Sequence, residues 1–192
     1  MSIAGLILAA GESKRMGSPK ALLELRGETF LDRLVDLFAG FCAPVVVVIG
    51  CDAERIRSAV KQPERAVFAE NSDYRLGQLS SMQCGLRIIP ETAEGVLFTL
   101  VDHPNVQAST IGALLEQPLA QLALPRFQGH RGHPIFFRKE LIAEFLALPA
   151  DSQARSVVDR HAGRAKFVDV DDAGILTDVD DPAAYRRLIE SA

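Results

Sequence analysis

The sequence predicts an α/β fold in which a mainly parallel sheet lies between two layers of helices. Short apolar, β-branched runs recur along the chain, and stretches with helical periodicity separate them. The run PVVVVIG at residues 44–50 is continuous rather than alternating, which is typical of a parallel strand buried on both faces. Strands that alternate with helices imply right-handed crossovers, and hence a Rossmann-like three-layer arrangement.

The first two thirds of the chain supply the regular part of this pattern. The segment TFLDRLVDLFA at 29–39 has an apolar stripe at helical spacing, with Thr29 as its expected N-cap and Gly40 as its expected end. Asp52 is the expected cap of the following helix. Strands are expected at 3–8, 44–50, 65–69 and 95–101, and helices at 29–39, 52–60, 78–89 and 109–117.

The C-terminal third is less regular. We expect some of its strands to form antiparallel pairs at an edge of the sheet, so that residues 1–192 make one domain. Strands are expected at PIFF (134–137) and KFVDV (166–170), and helices near 138–147, near 152–161 and from 181 onward.

Composition excludes several classes of function. The 192 residues have a net charge of −4, so no overall basic field attracts nucleic acid. Apolar runs fall short of the roughly 20 residues that span a bilayer, and charges near the N-terminus argue against a signal peptide. Cys42, Cys51 and Cys84 form no CxxC pair, which favours reduced thiols and a cytoplasmic location.

The segment AAGESKRMGSPK at 9–20 follows the first strand, where parallel sheets bind their ligands. Backbone N–H groups in a glycine-containing turn can surround an anion, and Arg15 and Lys20 add positive charge suited to phosphates. The pattern fits a nucleoside triphosphate, although it matches neither the Walker motif nor G-x-G-x-x-G. The alternative is a solvated turn whose charges only face water.

From Leu8 onward, this segment resembles the signature L-A-x-G-x-S-x-R-M-G-x-x-K of the molybdenum-cofactor nucleotidyltransferase family. Its L-A-A-G start is closer to the cytidylyltransferases of that family than to the guanylyltransferases, which tend to have L-A-G-G. The resemblance implies a fold like that of the nucleotide-diphospho-sugar transferases. It implicates these residues in nucleotide binding: Leu8, Ala9, Ala10, Gly11, Ser13, Arg15, Met16, Gly17 and Lys20.

A second segment, NSDYRLGQLSS at 71–81, resembles the family's loop between the third strand and its helix. An asparagine offers both a donor and an acceptor to a base or ribose, so Asn71 is a candidate nucleotide-binding residue. Ser80 and Ser81 are candidates too, because they lie near a helix N-terminus that favours anions or polar groups. The alternative is simple helix capping by one of these serines or by Asp73.

A third segment, Asp102-His103-Pro104, follows the apolar strand GVLFTLV. A carboxylate at the end of a central strand is a natural Mg²⁺ ligand, because Mg²⁺ takes one or two carboxylates together with substrate phosphates. The family has D-x-P here, often with Gln in the middle position of cytidylyltransferases, and His103 departs from that pattern. A turn-initiating aspartate is the alternative for Asp102.

Near the C-terminus, TDVDDP at 177–182 resembles the family's D-[IV]-[DN]-T-P, with Asp181 in place of Thr as the expected helix cap. Alternation about Val179 places Asp178 and Asp180 on one face, and we expect Asp180 to complete the metal site with Asp102. We assign three nearby acidic residues to a solvated edge: Asp169, Asp171 and Asp172.

The segment GHRGHP at 129–134 resembles the family's G-x-x-G-H-P, which makes Gly132 and His133 candidate acceptor-binding residues. A structural histidine in a tight turn is one alternative. Another is a zinc site of His103, His130 and His133 with Asp102, although loop residues three apart have no fixed facing geometry.

The resemblance implies a Mg²⁺-dependent transfer of CMP from CTP to the phosphate of molybdopterin, with release of pyrophosphate. Arg15, Lys20 and Asp102 would be the catalytic residues. The same chemistry could act on a sugar 1-phosphate or a phosphoalcohol, or could use GTP. A non-catalytic nucleotide-binding accessory protein of a molybdoenzyme is a further alternative, and contact with a molybdoenzyme or its maturation factor would fit either role.

Overall fold

The computed structural model describes residues 2–117, 119–149 and 152–191. Its strands are β1 (Ile3–Ala9), β2 (Glu24–Leu25), β3 (Glu28–Thr29), β4 (Val45–Ile49), β5 (Val67–Glu70), β6 (Gly95–Leu100), β7 (Leu122–Phe127), β8 (His130–Arg131), β9 (Ile135–Arg138) and β10 (Lys166–Asp169). Its helices are α1 (Phe30–Ala39), α2 (Ala53–Ala59), α3 (Gln78–Leu86), α4 (Ala108–Leu115), α5 (Ile142–Leu146), α6 (Arg155–His161) and α7 (Pro182–Glu190).

The main sheet has the strand order β10-β7-β9-β6-β1-β4-β5, and β8 pairs with β7 beside this path. β1 is parallel to both β4 and β6, and β4 is parallel to β5. β9 is antiparallel to β6 and to β7, whereas β10 is parallel to β7. The prediction of a mainly parallel sheet with some antiparallel pairing is confirmed.

Strand β4 shows why the sheet has helices on both faces. Its five residues are all at most 2 % exposed, so neither face meets water. Val45, Val47 and Ile49 pack into a core cluster that includes residues of α1, α4 and α7. Val46 and Val48 pack into a second cluster that includes residues of α3, α5 and α6. The continuous β-branched run therefore serves two cores at once.

Helix α3 lies unusually close to the sheet. A Cβ on Gly85 would lie 2.4 Å from Leu6 Cδ1 and 2.7 Å from Val48 Cγ2, so a larger residue would push the helix away from β1 and β4. This contact holds the C-terminal part of α3 against those strands. Among the described residues, no helix combines the length and the apolar character needed to cross a bilayer.

The extension of the sheet beyond β6 differs from the expectation in two ways. The segment PIFF forms β9 inside the sheet rather than at its edge. The segment 122–127, to which the sequence analysis assigned no element, forms β7.

Strand β7 contains a proline, Pro125. Proline is unusual within a paired strand because it cannot donate a ladder hydrogen bond. Pro125 lies between the residues of β7 that pair with β9 and those that pair with β8, so the donor it lacks falls in a gap between these two pairings. Its carbonyl accepts a hydrogen bond from the Gly132 N–H at 3.2 Å.

Two of the three predicted helix caps are confirmed, and one is wrong. Thr29 accepts a hydrogen bond from the Asp32 N–H at the start of α1, and Asp181 accepts one from the Ala184 N–H at the start of α7, as predicted. Asp52 precedes α2 but makes no capping hydrogen bond with its side chain, because its backbone is left-handed with φ 55°.

The expectation that Asp172 faces solvent is wrong, although Asp169 and Asp171 are exposed. Asp172 is 2 % exposed. One of its carboxylate oxygens accepts hydrogen bonds from Thr110 Oγ1 and from the Gln107 N–H, and the other accepts one from the Gly174 N–H. The carboxylate thus ties the loop after β10 to the first turn of α4, a contact that local sequence does not reveal.

Candidate active site

The loop after β1 is organised by Ser13. Its carbonyl accepts hydrogen bonds from the N–H groups of Met16 and Gly17, both at 3.0 Å, and its Oγ accepts one from the Lys20 N–H at 3.1 Å. Ser13 and Gly17 both have left-handed backbone, with φ 48° and 77°. The amides of Met16 and Gly17 are therefore engaged within the turn, and the amides that remain to meet an anion belong to earlier residues of the loop.

This loop closes one side of a cavity of about 400 Å³ at the carboxyl ends of β1 and β6, which we name the first cavity. Ten of the predicted site residues line it: Leu8, Ala9, Ala10, Gly11, Ser13, Arg15, Lys20, Ser81, Asp102 and Asp180. The structure thus brings together residues as distant in the sequence as Leu8 and Asp180, which are 172 positions apart.

Lys20 joins two of the carboxylates that line the first cavity. Its ammonium donates hydrogen bonds to Asp102 Oδ2 at 2.9 Å and to Asp180 Oδ1 at 2.5 Å. Arg15 donates to the other oxygen of Asp180 at 2.6 Å. The side chains of Lys20 and Asp102 are only 13 % and 15 % exposed, so water screens this pair less than it screens a surface ion pair.

These contacts set the protonation of the groups. Burial alone would lower the pKa of the Lys20 ammonium, but the charges and hydrogen bonds of Asp102 and Asp180 outweigh it and raise that pKa. The hydrogen bond from Lys20 holds the pKa of the Asp180 carboxyl below its ordinary value, against the opposing effect of burial. The Lys20 ammonium and the Asp180 carboxylate are therefore charged at neutral pH.

The carboxylates fit a divalent cation. Oδ1 of Asp102 is buried and has no hydrogen-bond partner, which is costly for a charged oxygen unless a further ligand contacts it. Oxygen atoms of Asp102, Asp178 and Asp180 lie within 4.8 Å of one another. Carboxylate oxygens at this spacing suit Mg²⁺ or Mn²⁺. Burial, followed by the charges of Asp102 and Asp180, raises the pKa of the Asp178 carboxyl, as expected when acids crowd together.

Asn71 lies beside the first cavity rather than on its lining. It is buried, and its Nδ2 donates to Ser80 Oγ and Ser81 Oγ, both at 3.0 Å. Its Oδ1 accepts from the Asp73 N–H. Asn71 therefore ties its loop to α3, and of the two serines only Ser81 lines the cavity. α3 has no side-chain cap, so the capping alternative for Ser80, Ser81 and Asp73 is not what the structure shows.

A second cavity of about 330 Å³ is lined in part by Met82 of α3. Gly132 and His133 line it, as does Gln78, which also lines the first cavity. Most of its wall is apolar, and two arginines and an aspartate supply charge. Its remaining lining residues are Phe98, Leu124, Arg131, Ile135, Phe145, Ala154, Arg155, Val158 and Asp159.

Two buried histidines separate the cavities. The rings of His103 and His133 have centroids 4.7 Å apart, and neither Nδ1 has a hydrogen-bond partner. Burial, reinforced by His103, lowers the pKa of His133 to about 4. His130 is exposed on β8, and the acidic cluster found among the described residues contains no histidine, so the zinc alternative gains no support.

Sequence reasoning missed several cavity residues. Tyr74 and Gln78 line the first cavity, and their position inside the motif at 71–81 was the available signal. Arg131 lies inside the motif at 129–134 and lines the second cavity. Arg155 and Asp159 on α6 also line it, and no recognisable pattern in the sequence surrounds them.

A family model, the MobA-like NTP transferase domain, matches residues 5–165. Nicotine blue oxidoreductase from Paenarthrobacter nicotinovorans is 30 % identical, over 97 % of this chain and 96 % of that protein. Molybdenum cofactor cytidylyltransferase from Escherichia coli (strain K12) is 25 % identical, over 92 % of this chain and 90 % of that protein.

Solved structures agree with this match. Rv0371c from Mycobacterium tuberculosis H37Rv superposes with a TM-score of 0.85 at 28 % identity, with both chains fully covered. Its complex with manganese superposes with a TM-score of 0.80 at 27 % identity, again with full coverage of both chains. The fold is that of the nucleotide-diphospho-sugar transferases. The chain belongs to the MobA-like NTP transferase domain family, whose members include molybdenum-cofactor cytidylyl- and guanylyltransferases.

Proposed function

We propose that this member of the MobA-like NTP transferase domain family is a Mg²⁺-dependent cytidylyltransferase that moves CMP from CTP to the phosphate of molybdopterin, releasing pyrophosphate. One observation carries the proposal. The first cavity places the glycine-containing loop, the Lys20 ammonium and the carboxylates of Asp102 and Asp180 in contact, with one carboxylate oxygen of Asp102 left for a further ligand.

The lining of the first cavity supplies groups that suit a nucleoside triphosphate. Arg15 and Lys20 supply positive charge for the phosphates, and the carboxylates of Asp102 and Asp180 would hold the metal. Tyr74 and Ser81 supply an aromatic ring and a hydroxyl, which suit a base. Ala10 supports CTP only through the resemblance of its L-A-A-G context to the cytidylyltransferases, because its own side chain is buried.

The reaction needs positioning and charge neutralisation more than proton transfer. An acceptor phosphate is already ionised at neutral pH, so its oxygen attacks the α-phosphorus and the bond to the pyrophosphate oxygen breaks without a strong general base. Arg15 and Lys20 would neutralise the triphosphate and the departing pyrophosphate. Asp102 and Asp180, with Asp178 beside them, would hold Mg²⁺, which supplies further charge neutralisation when bound.

The second cavity suits the acceptor. Its apolar wall would suit the faces of a flat ring system such as a pterin, and Arg131, Arg155 and Asp159 could contact the polar groups at the ring edge. Gly132 and His133 lie on this wall, in keeping with a role in acceptor binding. Gln78 lines both cavities, which supports a junction where the two substrates meet.

A thermal-shift panel of the four NTPs with Mg²⁺, followed by pyrophosphate release with molybdopterin, tests this function. Ligands that bind the native state raise the melting temperature, so CTP should give the largest shift. Pyrophosphate should then appear only when CTP and molybdopterin are both present. A shift selective for GTP or UTP would overturn the cytidylyl assignment, and release with a sugar 1-phosphate instead would overturn the acceptor.

A second candidate function is oxidoreduction, because nicotine blue oxidoreductase is 30 % identical over almost the whole chain. The apolar wall of the second cavity would also suit a flat pigment. The discriminating assay mixes the protein with nicotine blue and a nicotinamide dinucleotide and follows the colour. Loss of colour without pyrophosphate release from any NTP would favour this candidate.

A further inference from the structure

Three of the four carboxylate oxygens on Asp102 and Asp180 are engaged by cationic side chains. Lys20 binds one oxygen on each residue, and Arg15 binds the second oxygen of Asp180. Only Oδ1 of Asp102 is left on these two residues, so a divalent cation can reach Asp180 only at an oxygen that Lys20 or Arg15 already holds. A cation that takes both residues as ligands would therefore compete with these contacts, above all with the Lys20 ammonium that joins the two carboxylates, and would be repelled by both positive charges.

A bound triphosphate would compete with Asp102 and Asp180 for the side chains of Lys20 and Arg15. Its oxygens offer Lys20 and Arg15 a stronger anionic partner than two shared carboxylates, and Arg in particular binds phosphate through two parallel hydrogen bonds. The Lys20 backbone is held by Ser13 Oγ at 3.1 Å, so the ammonium can move on its flexible stem while the loop stays in place. Moving it toward the phosphates frees the carboxylates.

We infer that Lys20 is a built-in counter-ion that keeps the acidic site closed to divalent metal until a nucleotide draws its ammonium away. The inference rests on the proposed function and deepens it, because it makes tight metal binding conditional on nucleotide. The protein then takes up the metal together with the triphosphate, and the nucleotide-free protein resists metals that would otherwise compete for an exposed acidic cluster.

The test measures Mn²⁺ binding without turnover, by calorimetry and by the loss of the free Mn²⁺ electron paramagnetic resonance signal. Wild type should bind Mn²⁺ weakly alone, and about tenfold or more tightly when CTP is added without acceptor, after subtraction of the Mn²⁺ that CTP binds in a protein-free control. Lys20→Met should bind Mn²⁺ about tenfold more tightly than wild type without nucleotide, because the competing charge is gone. Added Mn²⁺ should also raise the melting temperature of this variant more than that of wild type.

Lys14→Met is the matched control. Lys14 lines the same cavity but pairs with Glu12 rather than with the carboxylates, so its removal should leave Mn²⁺ affinity close to the wild-type value. Circular dichroism checks the fold, and Lys20→Gln replaces the methionine variant if that one misfolds.

Equal Mn²⁺ affinity of wild type and Lys20→Met without nucleotide would overturn the inference. If wild type then still gains Mn²⁺ affinity with CTP, the proposed metal site stands and only the role of Lys20 is wrong. If no variant binds Mn²⁺ with or without CTP, both the inference and the metal assignment of the proposed function fail.

Discussion

The two cavities share Gln78 but differ in the groups that line them. The first has six charged side chains in its lining, and most of that lining comes from residues 8–15 and 19–21, joined by residues of distant segments such as Ser81, Asp102 and Asp180. The second is mainly apolar, and its wall comes from side chains scattered over β6, β7, β9, α3, α5 and α6. A cavity that handles charge needs particular atoms at fixed places, whereas an apolar wall needs only the right volume.

Because their linings differ, we expect the two cavities to have different roles in the proposed reaction. Charged groups in the first cavity would act on bond making and breaking, so their loss should reduce kcat. The wall of the second cavity would act through fit, so its changes should appear in the KM of one substrate. The experiments below test whether this division holds.

The largest effect is expected for Asp102→Asn. The change removes a charge from the acidic cluster while keeping size and shape, and we expect kcat for pyrophosphate release to fall about a thousandfold. The circular-dichroism melt should be nearly unchanged. Asp169→Asn is the control, because Asp169 is exposed and pairs with Arg126 far from the carboxylates. A fully active Asp102→Asn enzyme would refute the metal assignment.

The same contrast explains how much the sequence could predict. The parallel sheet followed from the β-branched run of β4, and most of the first cavity followed from one dense motif between Leu8 and Lys20. The second cavity was predicted only at Gly132 and His133, because apolar residues such as Phe145 and Val158 look the same in any core. Buried Asp172 was misjudged for a related reason, since its partner Thr110 lies 62 residues away.

The wall between the cavities should be acid-sensitive. Burial depresses the pKa of His133 from 6.5 to about 4, so the unfolded chain takes up a proton at a higher pH than the folded protein does. Stability from this group is complete above about pH 6.5 and is lost as pH falls toward 4, by up to about 3 kcal/mol. Urea unfolding at several pH values measures this slope.

His133→Phe should flatten that slope, because it keeps a ring in place but cannot take up a proton. The exposed His130 provides the control, and His130→Asn should retain the wild-type pH dependence. If His133→Phe loses stability with falling pH as steeply as wild type does, the acid sensitivity lies elsewhere.

A charge added to the wall of the second cavity should affect the KM of the acceptor only. Val158→Glu places a carboxylate among apolar side chains beside Phe98 and Phe145, and we expect the KM for the acceptor to rise about thirtyfold. The CTP-induced thermal shift should stay the same. Ser156→Glu adds the same charge to the exposed side of α6 and should change neither value. An equal rise in both KM values would contradict the division between the cavities.

The smallest effect is expected at Gln78, where the two cavities meet. Its exposed carboxamide can contact phosphate oxygens of either substrate, so Gln78→Ala should remove about one solvent-exposed hydrogen bond and lower kcat about fivefold. The affinities for CTP and acceptor, measured separately by calorimetry, should change little, because the bond matters when both phosphates are present. Gln78→Glu should lower kcat further, since its carboxylate repels them. If Gln78→Ala instead weakens one substrate alone, the residue belongs to that cavity and the junction between the substrates lies elsewhere on α3.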